Sequence, residues 1–563
     1  MNTLAVVHSR ALFGLSAPSV SVEVHLANGL PAFNIVGLPE TSVRESRERV
    51  RAALLQSGVV FPNHRITVNL APADLPKESG RFDLPIAIGI AAASGMIPLD
   101  ALNDVELVGE LSLSGELRPI RAALAVAAGV FESARPRSLI LPAANLDEAR
   151  QSGLSRLYGA RTLTEIIRHL DGSQPLPPST DTACASSGYD EIGVWDDAPD
   201  MADVIGQTLA RRALEISASG LHPLLLSGSP GTGKSLLAQR LPGLLPRLTP
   251  EEALQTAMIR SASGRPTGHL DHRPPLLCPH HTITAAGLLG GGHPPRPGDI
   301  SLAHRGVLFL DELAEFKRAV IEALREPLET GRITLSRGTH SETFPARFLL
   351  IGATNPCPCG HLGDPSRPCR CTPAQIRRYQ ARISGPLLER FDLGVTMVRE
   401  TTLPSARSDT TGTLHTTGTI GSADTASSVG TDSDAPSTAG SKTGPATRAD
   451  HLPDTHLAPE SSASIARRVQ AAHHRQQRRQ GCCNAHLPAS RFDACLGLQS
   501  QTRELLAQAA ERFCWSLRSQ HKALRVARTI ADLEGSDTLS PAHLAEAMAL
   551  RRSLDHWHAE ACA

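Results

Sequence analysis

Aromatic side chains are scarce: three Trp, three Tyr and twelve Phe among 563 residues leave too little π surface for an extended platform on which nucleic-acid bases stack. Net charge is missing too, because 56 basic and 56 acidic side chains cancel. No whole-chain field draws in a polyanion, so any nucleic-acid surface has to be a local basic patch. Nor does the chain contain a run of eighteen apolar residues, which leaves no segment expected to span a membrane. The opening MNTLAVVHSRALFG has a short apolar stretch broken by His8, Ser9 and Arg10, without a charged lead or a small-residue cleavage site. It does not read as a signal peptide, and the cytoplasm is the expected location. Eleven unevenly scattered cysteines do not make the disulfide framework of a small secreted domain, so reduced thiols are expected. No internal repeat stands out.

What is present divides into segments. Residues 1–171 combine the alternation VSVEVHLANG, a charged helix in ETSVRESRERVRAALLQSG, the strand RITVNLAP and an Ala/Ile-rich helix from Leu84, the mark of an α/β domain. Its RESRERVR face is expected to be solvated, with i to i+4 pairs. A Pro/Ser/Thr stretch over 172–189 reads as a linker. Strand-loop-helix alternation over 190–400 predicts a parallel α/β sheet. Residues 401–460 are built almost wholly of Thr, Ser, Gly, Ala, Asp and Pro and are expected to be disordered, a tolerated insertion. Helical periodicity with Arg-rich faces returns over 461–563. The fold class is thus a multidomain α/β protein with a helical C-terminal domain.

The chemistry centres on LLLSGSPGTGKSLLAQRL, an apolar strand, a Gly-rich turn and an apolar helix. Gly228, Ser229, Pro230, Gly231, Thr232, Gly233, Lys234 and Ser235 match the phosphate-binding loop, whose bare backbone amides cradle an anion at a helix N-terminus. Lys234 is placed for the β- and γ-phosphates of ATP and Ser235 for magnesium. GVLFLDELAEF ends an apolar strand in two acids: Asp311 to hold magnesium through water, Glu312 to deprotonate the attacking water. FLLIGATNP puts Asn355 at a strand's carboxyl end, as a γ-phosphate sensor or a turn cap. Arg390 closes a helix in ISGPLLERFDL, and Arg518, Arg525 and Arg528 lie in LRSQHKALRVARTIADL. Arginine suits a developing phosphoryl charge, whereas any single arginine is more often a solvated surface residue.

Cys357, Cys359, Cys369 and Cys371 form two C-x-C pairs nine residues apart in a Gly/Pro-rich loop after Asn355, a candidate structural zinc site with free thiols as the alternative and His361 as a spare ligand. The CPHHT tract, with Cys278, His280 and His281, has no second chelating pair and is expected to line a loop. For DNA the candidates are ETGRITLSRGTH, readable as a hairpin with Arg332 and Arg337, and the inserts SASGRPTGHLDHR and LLGGGHPPRPG.

These motifs, with FNIVGLPETSVRESRERVRAAL, RITVNLAPADLPKESGRFDLPIAIGI, GDISLAHRGVLFLDELAEF and NPCPCGHLGDPSRPCRCTPAQIRRYQARISGPLLERFDL, resemble the magnesium-chelatase-related AAA+ ATPases, and among them the bacterial ComM/YifB family, over nearly the whole chain. The resemblance implies that Asn355 is sensor 1, Arg390 the finger reaching a neighbour's site, Arg518 sensor 2 with Arg525 second, and that Val204 to Gln207 pack around the adenine. It implies an ATP-promoted homo-hexamer, with the C-terminal helices as a lid, acting as a DNA branch-migration helicase on single-stranded or branched DNA in natural transformation. A magnesium-chelatase motor subunit and a protein-remodelling ATPase are the alternatives; against the former, the chain has no D-x-S-x-S motif. The first domain looks like the ribosomal-S5/Lon-protease fold, with Arg81 where the nucleophile and Leu124 where its lysine partner should be. That implies a non-proteolytic module, Ser79 and Lys77 being the nearby residues of the types required.

Overall fold

The computed structural model describes residues 4–37, 45–73, 75, 77, 80–179, 199–292, 295–337, 340–399 and 460–562. Ser79, the later part of the expected linker, the expected disordered stretch over 401–459 and the side chain of Arg337 lie outside the described residues. No described helix is long and apolar enough to cross a membrane.

In the first unit, β1 (Leu4–Arg10), β2 (Ser19–Ala27), β3 (Ala32–Val36), β4 (Arg65–Ala71), β5 (Val105–Leu107), β6 (Ser138–Pro142) and β7 (Leu157–Ala160) form one sheet in the order β3-β4-β2-β1-β5-β6-β7. Its alternation is that of a sheet with one covered face: Val20, Val22, Val24 and Leu26 of β2 are buried in turn. The helices α1 (Ser46–Gln56) and α2 (Asp83–Ala93) pack here, and α2, apolar all round after Asp83, is buried along its whole length. Two buried carboxylates of this unit are each answered by arginine. Arg10 Nε lies 2.7 Å and Arg137 Nη1 3.5 Å from the buried Glu106 carboxylate, and Arg49 Nε 2.8 Å from that of Asp83. Arg49 therefore corrects the expectation of a merely solvated α1 face: a buried carboxylate demands a counter-charge, and Arg49 supplies it across 34 residues. The described part of the expected linker runs along this unit, with Arg150 Nε donating to Ser179 Oγ at 2.6 Å.

The second unit holds β8 (Leu224–Gly228), β9 (Leu276–Leu277), β10 (Val307–Leu310), a hairpin of β11 (Arg332–Arg337) and β12 (His340–Pro345), β13 (Leu349–Thr354) and β14 (Leu393–Met397). Its sheet runs β9-β10-β13-β8-β14 with every pairing parallel. LLLSG, VLFL and LLIGAT are buried at every residue, because such a sheet is covered on both faces. The hairpin read from GRITLSR is present, in register from Arg332↔Pro345 to Arg337↔His340. Helix α4 (Thr208–Gly220) precedes β8 and α5 (Lys234–Arg240) follows it, while α3 (Ala123–Phe131) of the first unit packs on α6 (Pro250–Ser263) of the second. At the joint, Ala122, Ala125 and Ala262 form a small apolar contact, Ser261 Oγ donates to Glu148 and the Gln151 amide to the Thr267 carbonyl. The SASGRPTGHLDHR insert thus lies partly against the first unit.

The C-terminal segment is helical: α7 (Ser462–Gln480), α8 (Ser500–Arg512), α9 (Leu517–Glu534) and α10 (Pro541–Cys562). Ile465, Val469, Val526, Leu544 and Leu550 share one core with Leu224, Leu226, Val307, Phe309 and Ile351 of the sheet. A buried polar cluster crosses that boundary. Lys522 Nζ lies 2.7 Å from Asp392 Oδ1, His222 Nδ1 2.8 Å from Asp392 Oδ2, and His222 Nε2 2.7 Å from Thr529 Oγ1. Burial raises the Asp392 carboxyl, yet Lys522 and His222 outweigh it and hold the group below its ordinary value, while burial draws Lys522 down to about 8.

Candidate nucleotide and metal site

β8 delivers Gly228 to a turn in which Gly231 and Gly233 adopt φ of +80° and +92°, conformations that a side chain would strain. α5 starts at Lys234, whose ammonium turns back into the loop: Nζ donates to Gly228 O at 2.6 Å, Ser229 O at 3.0 Å and Asn355 Oδ1 at 3.2 Å. Burial lowers its pKa, with Asp311 and Glu312 pulling the other way. One residue on, Ser235 Oγ donates to Asp311 Oδ2 at 2.6 Å. Asp311 follows β10 directly, and its Oδ1 accepts the Glu312 N–H at 3.0 Å. Glu312 stands in the left-handed region at φ +53°, its side chain 53% exposed. Lys234, Ser235, Asp311 and Asn355 thus meet at the carboxyl ends of three neighbouring parallel strands, where open α/β sheets take ligands.

The other sequence-derived candidates scatter around this centre. Val204 is buried in the core beside Leu237, and Gln207 Nε2 donates to Val398 O at 2.6 Å, tying the segment before α4 to the end of β14. Arg390 pairs with Glu329, which also lies 3.4 Å from Arg518 Nη2, so two arginines from distant segments share one acid. Both arginines bond Glu329, and Arg390 also the Pro386 carbonyl, away from the phosphate loop. Arg525 donates to Leu487 O at 2.9 Å and stacks over Phe492, and Arg528 is buried against Asp532. In the first unit Arg81 and Leu124 are both buried, the Leu124 N–H on Glu148 Oε1 at 3.2 Å, and Lys77 Nζ is held by the Pro72 carbonyl.

Sequence reasoning missed several neighbours of the site. His281 Nδ1 lies 3.5 Å from Glu312, which makes the CPHHT loop a wall of the site. Arg399 Nη2 donates to Pro230 O at 3.1 Å, and Asp364, held below its ordinary value chiefly by Ser366 and least by Ser229, stands beside the loop. His281 at least stood in a tract singled out for its chemistry, whereas neither Asp364 nor Arg399 carries a motif.

The four cysteine sulfurs lie within 4.8 Å of one another, the only such ligand group among the described residues. Cys357 Sγ is 3.4 Å from Cys359 Sγ and 3.7 Å from Cys369 Sγ, and the latter two are 3.6 Å apart. A disulfide would need about 2.05 Å. Sulfurs at ~2.3 Å from a tetrahedral zinc stand about 3.8 Å from each other. Backbone N–H groups of Arg370 and His361 draw Cys359 down to about 6, while burial pushes Cys357 up.

Residues 200–403 match the family described as magnesium chelatase, subunit ChlI; residues 22–145 match subunit ChlI of Mg-chelatase, and residues 459–551 the ChlI C-terminal region. The chain is 41% identical over 554 residues to the competence protein ComM of Haemophilus influenzae, covering 98% of this chain and 97% of that protein. It is 41% identical over 553 residues to the uncharacterized protein YifB of Escherichia coli, with the same coverage of 98% and 97%. The uncharacterized protein Rv2897c of Mycobacterium tuberculosis is 43% identical over 394 residues, 69% of this chain and 76% of that one.

Proposed function

This chain belongs to the magnesium-chelatase-related ComM/YifB family of AAA+ ATPases, and from that premise we propose an ATP-driven ring motor that acts on DNA as a branch-migration helicase. The observation that carries the ATPase part of this reading is the convergence of Lys234, Ser235, Asp311 and Asn355 at the carboxyl ends of neighbouring strands. Bound magnesium-ATP supplies the transferable phosphoryl group and a divalent charge that polarises it. Lys234 exchanges its carbonyl partners for phosphate oxygens, and Ser235 with Asp311 holds the metal. Glu312, half exposed, takes the proton of the attacking water, which Asn355 orients. Arg390, held on Glu329, is the finger offered to the neighbouring subunit's nucleotide in a homo-hexamer, and Arg518, on the same acid, is sensor 2. Arg525, engaged with Leu487 and Phe492, supports the C-terminal helices, which act as the lid.

The first unit is a non-proteolytic Lon-like module in this reading: its Arg81 and Leu124 supply no nucleophile and no base, and Lys77 is locked on a carbonyl. The cysteine cluster holds one structural zinc, supported by sulfur spacings close to those of a tetrathiolate.

The DNA reading is tested by ATPase rates with and without single-stranded, duplex and four-way-junction DNA. Single-stranded or branched DNA is expected to stimulate turnover. Indifference to every DNA offered would sink the helicase and leave the ATPase, and stimulation by unfolded polypeptide alone would make the chain a protein remodeller.

A further inference from the structure

The cysteine loop does not stand apart from the nucleotide loop. Cys357 comes two residues after Asn355, and the chain then folds back over the phosphate turn. Gly360, at φ +80°, sits so close that a Cβ there would lie 2.6 Å from Pro230 Cδ. Asp364, its side chain fully shielded, stands near the Ser229 hydroxyl, and Ser366, His361 and Ser229 hold its carboxyl below the ordinary value. Asp364 is itself fixed by Ser366 N at 2.8 Å, Ser366 Oγ at 2.6 Å and His361 Nδ1 at 3.3 Å. One wall of the turn at Ser229 and Pro230 is therefore built from residues 360–364, which lie between the two C-x-C pairs. Apart from Cys357, Gly360 and the shielded Asp364 side chain, the residues of 356–371 are exposed or half-exposed, so the segment has almost no apolar burial to order it.

We infer that metal held by Cys357, Cys359, Cys369 and Cys371 sets the affinity of the phosphate loop for nucleotide, through Gly360 against Pro230 and Asp364 against Ser229. The inference rests on the zinc reading of the cluster. With the sulfurs tied together, the 360–364 wall is pre-formed and nucleotide need not order it; with the metal withdrawn, nucleotide binding has to carry that ordering itself. Coupling between two sites is reciprocal, so nucleotide must raise the affinity for zinc by the same factor.

The full chain is assayed for zinc by atomic emission and for nucleotide by titration with a fluorescent ATP analogue in magnesium, before and after a zinc-selective chelator that spares magnesium. The expected result is one zinc per chain. Its removal should weaken nucleotide binding by about 5–150-fold, with recovery on adding zinc back, and nucleotide should protect the zinc from the chelator. Asp364→Asn should keep the zinc and still weaken nucleotide binding, an arm that stands even if Cys371→Ser fails to fold. Zinc that comes and goes with no change in nucleotide affinity would overturn the coupling alone. Chain purified or reconstituted with zinc that retains none would overturn the metal site and the coupling with it.

Discussion

Two places, one in each α/β unit, treat buried charge in opposite ways. In the first, Glu106 and Asp83 are shut inside with arginines that answer them, and the ionic groups finish their interactions within the unit. In the second, Lys234 is met at the sheet edge by carbonyl and amide oxygens rather than by an acid, while the two nearest acids stand beside it with capacity to spare. A closed pair stabilises; an open convergence is ready for a ligand that brings its own charge. The same residue types thus point to architecture in one unit and to chemistry in the other.

The strongest way to break this contrast is Glu312→Gln. It should lower phosphate release by about 10²–10⁴-fold while nucleotide titration stays near the parent value. Unchanged turnover would mean that the open edge is not where the chemistry occurs. Next comes Glu106→Gln, which leaves Arg10 and Arg137 facing a neutral amide. Differential scanning calorimetry should register a loss of about 3–5 kcal/mol in the first unit, with nucleotide affinity unaltered. A matching loss of affinity would join two units that the contrast holds apart.

The smallest effect concerns a buried group that takes neither course. His304 accepts the Arg347 N–H at 3.0 Å through Nδ1 and donates from Nε2 to Gln255 Oε1 at 2.8 Å, and burial, reinforced by Arg305 and Arg347, lowers its pKa to about 3. The unfolded imidazole takes up its proton near pH 6.5 and the folded one does not. The stability it contributes is therefore present above pH 6.5 and drains away as the pH falls toward 3. Between pH 7 and pH 5 the loss should be about 2 kcal/mol. Melting temperatures across that range should fall less steeply in His304→Gln, and equal slopes would remove His304 from the account.

Much of the second unit was legible because its information is local. The glycine run, the lysine beside it and the strand-end acids each declare themselves within a dozen residues, and in the structure Ser235 donates to Asp311. The cysteine pairs were legible for the same reason, their spacing being a statement about a single loop. What escaped was pairing across long separations. Asp392 with His222 spans 170 residues, Arg518 with Glu329 spans 189, and neither leaves a periodic trace in the chain. Arg49 escaped differently: charge repeats along a helix look the same whether a residue faces water or a buried acid, and only the packing of α2 on the sheet decides.

The Asp392 cluster has a mechanical consequence. Swinging α9 away from the sheet would part Lys522 from the buried Asp392 carboxylate and His222 from Thr529 at once, so the seam resists shear where ordinary greasy packing would slide. At this seam the sheet and α9 are joined as one casting.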